Sequence, residues 1–163
     1  MILVWTIISC KSVQQQAKVP ELSGRQQNVD IKGYKKLETF KGDTPGYLHE
    51  NFVKQKQKYI NQPLEEILKE LEIPIVKYAF TPNGQDMSTS PAIILKIYDE
   101  RRLIQIEKNK GNPNILLITW AKPLPIEEAK AILTKSFANW DINAKDYYSM
   151  KIVGNVQLTG YPE

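Results

Sequence analysis

Asn61-Gln-Pro-Leu-Glu-Glu-Ile-Leu-Lys-Glu-Leu-Glu-Ile-Pro74, continuing into Ile75-Val-Lys-Tyr-Ala-Phe80, is where the chain changes its hydrophobic period. In the first part Leu64, Ile67, Leu68 and Leu71 recur at i, i+3, i+4 and i+7, the apolar stripe of a helix lying on a core. Asn61 stands where a cap is expected, with Pro63 in the first turn. Glu65 and Glu66 then sit at the positive end of the helix. Pro74 ends it. From Ile75 onward the pattern shortens to apolar runs that read as strand. A helix closed by proline and followed at once by strand places this chain among mixed α and β domains.

Working outward, the same reading gives strands at Ile75–Phe80, Ala92–Tyr98, Leu103–Lys108 and Ile115–Trp120. The links Asp99–Arg102 and Asn109–Asn114 are short and turn-rich, which favours an antiparallel meander. Upstream, Asp43 or Thr44 caps an earlier helix with Pro45 near its first turn, and Leu48, Phe52, Tyr59 and Ile60 follow at near-helical spacing. Residues 31–41 carry spaced apolar positions (Tyr34, Leu37, Phe40) and read as a strand or arm. Downstream, a helix opens at Pro125 with Glu127 and Glu128 in its first turn, and it is expected to bury Ala129, Ile132, Leu133, Phe137 and Trp140. Tyr147 to Tyr161 returns to strand character with a break at Gly154-Asn155. The expected fold is α+β: an antiparallel sheet of four to five strands with two N-terminal helices and one later helix packed on one face. The order of a helix pair feeding a four-stranded meander, over roughly residues 45–120, resembles the beta-lactamase-inhibitor-like and outer-membrane assembly lipoprotein folds. That likeness is one of element order and transfers no residues.

The other informative stretch is Met1-Ile-Leu-Val-Trp-Thr-Ile-Ile-Ser-Cys10, an uncharged apolar run ending in the chain's one cysteine and followed by polar Lys11-Ser-Val-Gln-Gln-Gln16. An apolar run ending in a small residue and cut just before a cysteine is the pattern of an export signal. Ile7-Ile8-Ser9-Cys10 resembles the lipobox of bacterial lipoproteins. The resemblance implies that Cys10 becomes the lipid-carrying first residue, with residues 1–9 removed as a signal peptide. Two or three acyl chains give anchoring that one chain cannot sustain. The departure from the pattern is that no Lys or Arg precedes the apolar run; the alternative reading is a buried N-terminal strand with a core cysteine. Residues 10–30 read as the lipidated cysteine and a flexible tether, glutamine-rich and nearly without aliphatic residues. Residues 31–163 read as a single domain. A spanning helix needs about 20 apolar residues, and no stretch approaches that.

Composition is ordinary for a globular domain, 42% hydrophobic and 25% charged. The net charge of +4 is unevenly placed: residues 11–58 hold ten Lys/Arg against five Asp/Glu, whereas 59–163 hold twelve against thirteen. The excess lies beside the expected anchor, where a basic residue can gain about 1 kcal/mol at an anionic lipid surface. No basic stripe with interleaved aromatics points to nucleic acid. A single histidine, His49, rules out multi-histidine metal sites, and with Cys10 lipidated no thiolate site remains. Asn83-Gly-Gln-Asp-Met-Ser88 lacks the alternating acidic ligands and closing Glu of a calcium loop. No glycine-rich phosphate loop is present, so no metal and no cofactor is expected.

What remains is a recognition surface. Thr81–Pro91, a long polar link with Met87 as its one apolar anchor, is the preferred patch, with Asn83 and Asp86 beside it. Trp120, next to Ala121-Lys-Pro-Leu-Pro125, is the second. The expected function is a non-enzymatic binding module, lipid-anchored in the bacterial cell envelope and facing the periplasm or cell surface, with a protein partner there. The alternatives are an inhibitor or immunity-type lipoprotein and a hydrolase of envelope polymers. The hydrolase would require two carboxylates about 5–9 Å apart in a pocket.

Overall fold

A computed structural model describes residues 33–109, 113 and 115–159, all within the compact unit Ile31–Glu163. The expected signal peptide, Cys10 and the tether lie outside the described residues. The fold is α+β, built on a four-stranded antiparallel sheet in the order β1 (Lys77–Thr81), β2 (Thr89–Lys96), β3 (Leu116–Pro125) and β4 (Val153–Leu158).

Side chains alternate across the strands, so one face collects the apolar set. Tyr78, Ile93, Leu95, Leu116, Ile118, Trp120, Val156 and Leu158 form a buried cluster with residues of the helices. The opposite face carries Lys77, Thr81, Ile94, Lys96, Leu117, Thr119 and Gln157, set by registers such as Ile93↔Ile118 and Ile94↔Leu117. Helical elements supply the other half of the core. α1 (Thr44–Leu48) is capped by the Asp43 carboxylate, which accepts from the Gly46 amide, and it runs on as one π-helical turn, His49–Val53. Together they bury Tyr47, Leu48 and Phe52. α2 (Leu64–Glu70) buries Leu64 and Ile67, worth about 1.5–3 kcal/mol for each side chain removed from water.

The arm at residues 33–41 forms a short 3-10 turn, Leu37–Phe40, and a network of tyrosines and glutamates at the end of α2 holds it. The Tyr34 hydroxyl lies 2.7 Å from the Glu70 carbonyl and 2.8 Å from the Glu72 carboxylate. Glu72 also accepts from the Leu37 amide at 2.9 Å. Tyr59 donates to Glu70 at 2.6 Å, and Lys58 pairs with the same carboxylate.

Four expectations need correction. Leu103–Lys108 is not a strand but part of α3 (Glu100–Lys108). The four charged residues read as a hairpin turn are its start: the Asp99 carboxylate accepts from the Arg102 amide at 2.8 Å, and Glu100 occupies the first turn. A short apolar alternation fits either period, and here the cap and the helix-forming Arg, Leu, Gln, Glu and Lys prevail. β2 and β3 are therefore joined through a helix, and the helix-pair-plus-meander likeness over residues 45–120 does not hold.

The later helix is two. α4 (Ile126–Ser136) ends where Phe137 and Ala138 both turn left-handed (φ 50° and 58°), and α5 (Ile142–Tyr148) follows, capped by Asp141. Phe137, expected in the core, is 82% exposed as a result. The cap of α2 is at Pro63, not Asn61, which sits at φ 64° and donates its amide to the Val153 carbonyl. Finally, Gly154-Asn155 does not break β4. Thr119 pairs with Asn155 and Trp120 with Val153, so Gly154 is the extra residue of a bulge. A Cβ there would come within 2.7 Å of the Trp120 carbonyl oxygen, an approach that only glycine permits.

Candidate functional site

α2 carries apolar surface that the core covers only in part. Leu64 and Ile67 face the sheet, while Leu68 and Leu71, one step round the helix, are half-buried. The helix stops because Leu71 turns extended (φ −74°, ψ 104°), and Ile73, Pro74 and Ile75 continue as extended chain toward β1. On the far side, the left-handed turn after α4 returns the chain alongside β1. The Trp140 amide donates to the Val76 carbonyl at 3.1 Å, and the Tyr78 amide to the Ala138 carbonyl at 3.0 Å. α5 then starts at Ile142, fixed by the Asp141 carboxylate accepting from the Ala144 amide at 3.1 Å.

Between these segments lies a cavity of about 340 Å³ lined by Leu68, Leu71, Ile73, Pro74, Ile75, Trp140 and Lys145. A second hollow of about 200 Å³ adjoins it through Leu68 and Lys145, and there the walls are polar: Glu65, Lys69 and Ser149. The two make one groove between α2 and α5, apolar at one end and polar at the other.

The groove has a stiff floor. Trp140 stacks on Tyr148 (centroids 6.2 Å apart, planes 20°), and Tyr148 stacks in turn on Trp120 (5.8 Å, 4°). Tyr78 meets Trp140 and Tyr148 edge-on. Such ring pairs add about 0.5–1.5 kcal/mol beyond area burial. Burial pushes the Tyr148 phenol up from its ordinary value, and Tyr78 and Tyr147 push the same way, so Tyr148 stays neutral.

The two lysines of the groove differ. Lys69 lies 3.1 Å from Glu65 and 2.7 Å from Glu66, and hydrogen bonds to Glu66 and then Glu65 raise its pKa. Lys145 lines both hollows, and no ion pair joins it to another described residue. Ile142, 66% exposed, stands one turn before Lys145 on the same helix face.

The residues expected to bind are placed differently. Pro82–Ser88 is the β1–β2 hairpin loop, and its polar atoms serve the loop itself. The Asn83 amide oxygen accepts from the Gln85 backbone at 3.0 Å, and its nitrogen lies 3.3 Å from the Thr89 hydroxyl. Asp86 accepts from both the hydroxyl and the amide of Ser88, and these bonds hold its carboxyl below the usual range. Met87 is the large apolar side chain that the loop presents outward, 68% exposed. Trp120 is 4% exposed, inside the aromatic stack, and does not meet the surface. The structure does not bring these four residues together.

Trp140 and Lys145, which line this groove, are not marked as a pair by the sequence. The signal for the groove was the apolar surplus around Pro74, where Leu71, Ile73 and Ile75 exceed what one helix face can bury.

A second cleft of about 280 Å³ lies between α3 and the outer sheet face. Lys77, Lys96 and Tyr98 stand on one wall and Glu100 and Glu107 on the other. Lys77 and Lys96 are directly opposite in register. The two glutamates are two helical turns apart, about 10 Å along the axis. His49 is mostly buried, with its Nδ1 3.8 Å from a Glu50 carboxylate oxygen. Among the described residues no group of three or more His, Cys, Asp or Glu is arranged to hold a metal, and no helix is long and apolar enough to cross a membrane.

Comparison with protein-family models, with curated proteins and with solved structures returns no match.

Proposed function

We propose that this chain is a lipid-anchored lipoprotein of the bacterial cell envelope whose folded domain is a non-enzymatic interaction module. In this reading Cys10 carries the lipid, the domain faces the periplasm or cell surface, and a protein partner is held in the groove between α2 and α5. The observation that carries the binding half is the groove itself: half-buried apolar walls over a locked aromatic floor, with Lys145 at the junction of its apolar and polar ends. The lipobox-like Ile7-Ile8-Ser9-Cys10 carries the anchoring half.

A second reading rests on the hairpin. Met87 on a loop stiffened by its own Asn83 and Asp86 hydrogen bonds is the form of a wedge that an inhibitor or immunity-type lipoprotein would insert into an enzyme or toxin. The hydrolase reading draws little from the described carboxylates. The Glu70 carboxylate is taken up by Tyr59 and Lys58 and that of Glu72 by the Tyr34 hydroxyl and the Leu37 amide, and Glu100 and Glu107 stand seven residues apart on α3.

Each half has its test. Metabolic labelling with a fatty-acid analogue should mark the wild type, and Cys10→Ala should abolish the mark; equal labelling would remove the anchor. A partner that co-purifies from native membranes with the wild type should be lost with Leu71→Asp and kept with Met87→Ala. The opposite pattern would move the contact to the hairpin and favour the inhibitor reading.

A further inference from the structure

We infer that the groove between α2 and α5 recognises a peptide segment in which a carboxylate, from Asp, Glu or a chain terminus, lies next to a bulky aliphatic side chain. This rests on the groove being the binding site proposed above and adds the chemistry of its occupant.

The charge argument comes from the two lysines. The Lys69 ammonium is already matched by Glu65 and Glu66 at 3.1 and 2.7 Å. Lys145, by contrast, has no ion pair with any described residue although it lines both hollows. A lysine at the mouth of an apolar pocket gains most from an anion delivered together with the apolar group that fills the pocket, because the pocket then excludes water from the pair. The aliphatic side chain would rest on Trp140, between Leu68, Leu71 and Ile75. At about 340 Å³ the cavity is at the small end of ligand sites, suited to one or two side chains.

The polar end argues for a peptide over a fatty acid, which offers the same carboxylate and the same aliphatic bulk. The adjoining hollow presents a carboxylate (Glu65), an ammonium (Lys69) and a hydroxyl (Ser149). A peptide backbone has both N–H donors and C=O acceptors to meet them. An alkyl tail has neither and would lie against the Lys69–Glu65 ion pair and the Ser149 hydroxyl without a hydrogen bond to any of them. Ile142, exposed beside Lys145, extends the apolar contact along a chain longer than the cavity.

The test is selection of random peptides displayed on phage against the full-length chain, run in parallel on wild type, Lys145→Glu and Lys145→Arg. Wild type and Lys145→Arg should enrich Asp, Glu or a free terminus within two residues of Leu, Ile, Val or Met. Lys145→Glu should lose those peptides by about tenfold or more in affinity and enrich Lys or Arg in their place. The Trp140 indole N–H signal should shift on binding, and decanoate should not displace the peptides. A shared consensus across the three proteins, no enrichment at all, or displacement by decanoate would each overturn the inference. If the peptides lack a charge preference yet still shift Trp140, the occupant chemistry is wrong and the groove stands. If they bind without touching Trp140, the groove reading falls as well.

Discussion

The hairpin Pro82–Ser88 and the groove between α2 and α5 are both exposed, and both hold polar groups, but they differ in what those groups are doing. In the hairpin, Asn83, Asp86, Ser88 and Thr89 bond to one another and to the loop backbone, so these polar groups are internally satisfied and Met87 is the large apolar side chain left facing outward. In the groove, Leu68, Leu71 and Trp140 are left half-covered, and Lys145 has no ion pair among the described residues. Polarity and exposure thus describe a turn as well as a site. What separates the two is whether the side chains already have partners.

The sharpest division runs through α2 itself. Ile67→Ala, on the sheet side, should cost about 2–5 kcal/mol, whereas Leu68→Ala, on the groove side, should cost about 1 kcal/mol. Chemical denaturation measures both, and equal losses would mean that the groove wall is core. Next in size is the support beneath the groove. Gly154→Ala forces a Cβ against the Trp120 backbone and should cost about 1–3 kcal/mol through overpacking. A neutral result would show that the sheet under the aromatic floor can spread.

The hairpin should respond to acid. Asp86 sits below its ordinary carboxylate value because Ser88 donates to it, and the Thr89 hydroxyl adds to this. Its contribution to loop order is therefore complete above about pH 4, the value for an unfolded aspartate, and is lost as pH falls through the lower folded value. The Ser88 amide proton resonance, followed from pH 6 to pH 2, should move with an apparent pKa below 3.8 and stay flat in Asp86→Asn. A midpoint at the ordinary value would mean that the Ser88 bonds do not persist in solution. Smallest of all, Met87→Ala should change stability by no more than about 0.5 kcal/mol; a larger loss would make Met87 a packing residue and remove the contrast.

Much of this architecture is legible in the sequence, and the failures have physical causes. The 3.6-to-2 change of period at Pro74 locates α2 and β1, and Pro125 locates the start of α4 to within a residue. Leu103–Lys108 reads as strand because six residues of alternation cannot separate the two periods, although Asp99 is the cap and Glu100 the acidic first-turn residue of a helix. The end of α4 was overrun because no glycine or proline marks it. Phe137 and Ala138 take left-handed backbone that bulky residues seldom adopt, so nothing local signals the turn. That turn places Trp140 on the groove floor and starts α5 with Lys145, which is why the groove went unseen. Leu68 packs against the core but is only half-buried, because a helical stripe does not say how wide the facing surface is. Its four leucine and isoleucine positions are split between the sheet and the groove.

The measurement that bears most directly on the contrast is photocrosslinking in living cells, with a photoreactive phenylalanine analogue placed at Leu71, at Met87 and at the exposed Lys130 in the full chain. The account predicts one discrete adduct from Leu71 that disappears when Lys145→Glu is added, with none from Lys130 or Met87. An adduct from Met87 alone, unaffected by Lys145→Glu, would contradict it and make the hairpin the site of contact.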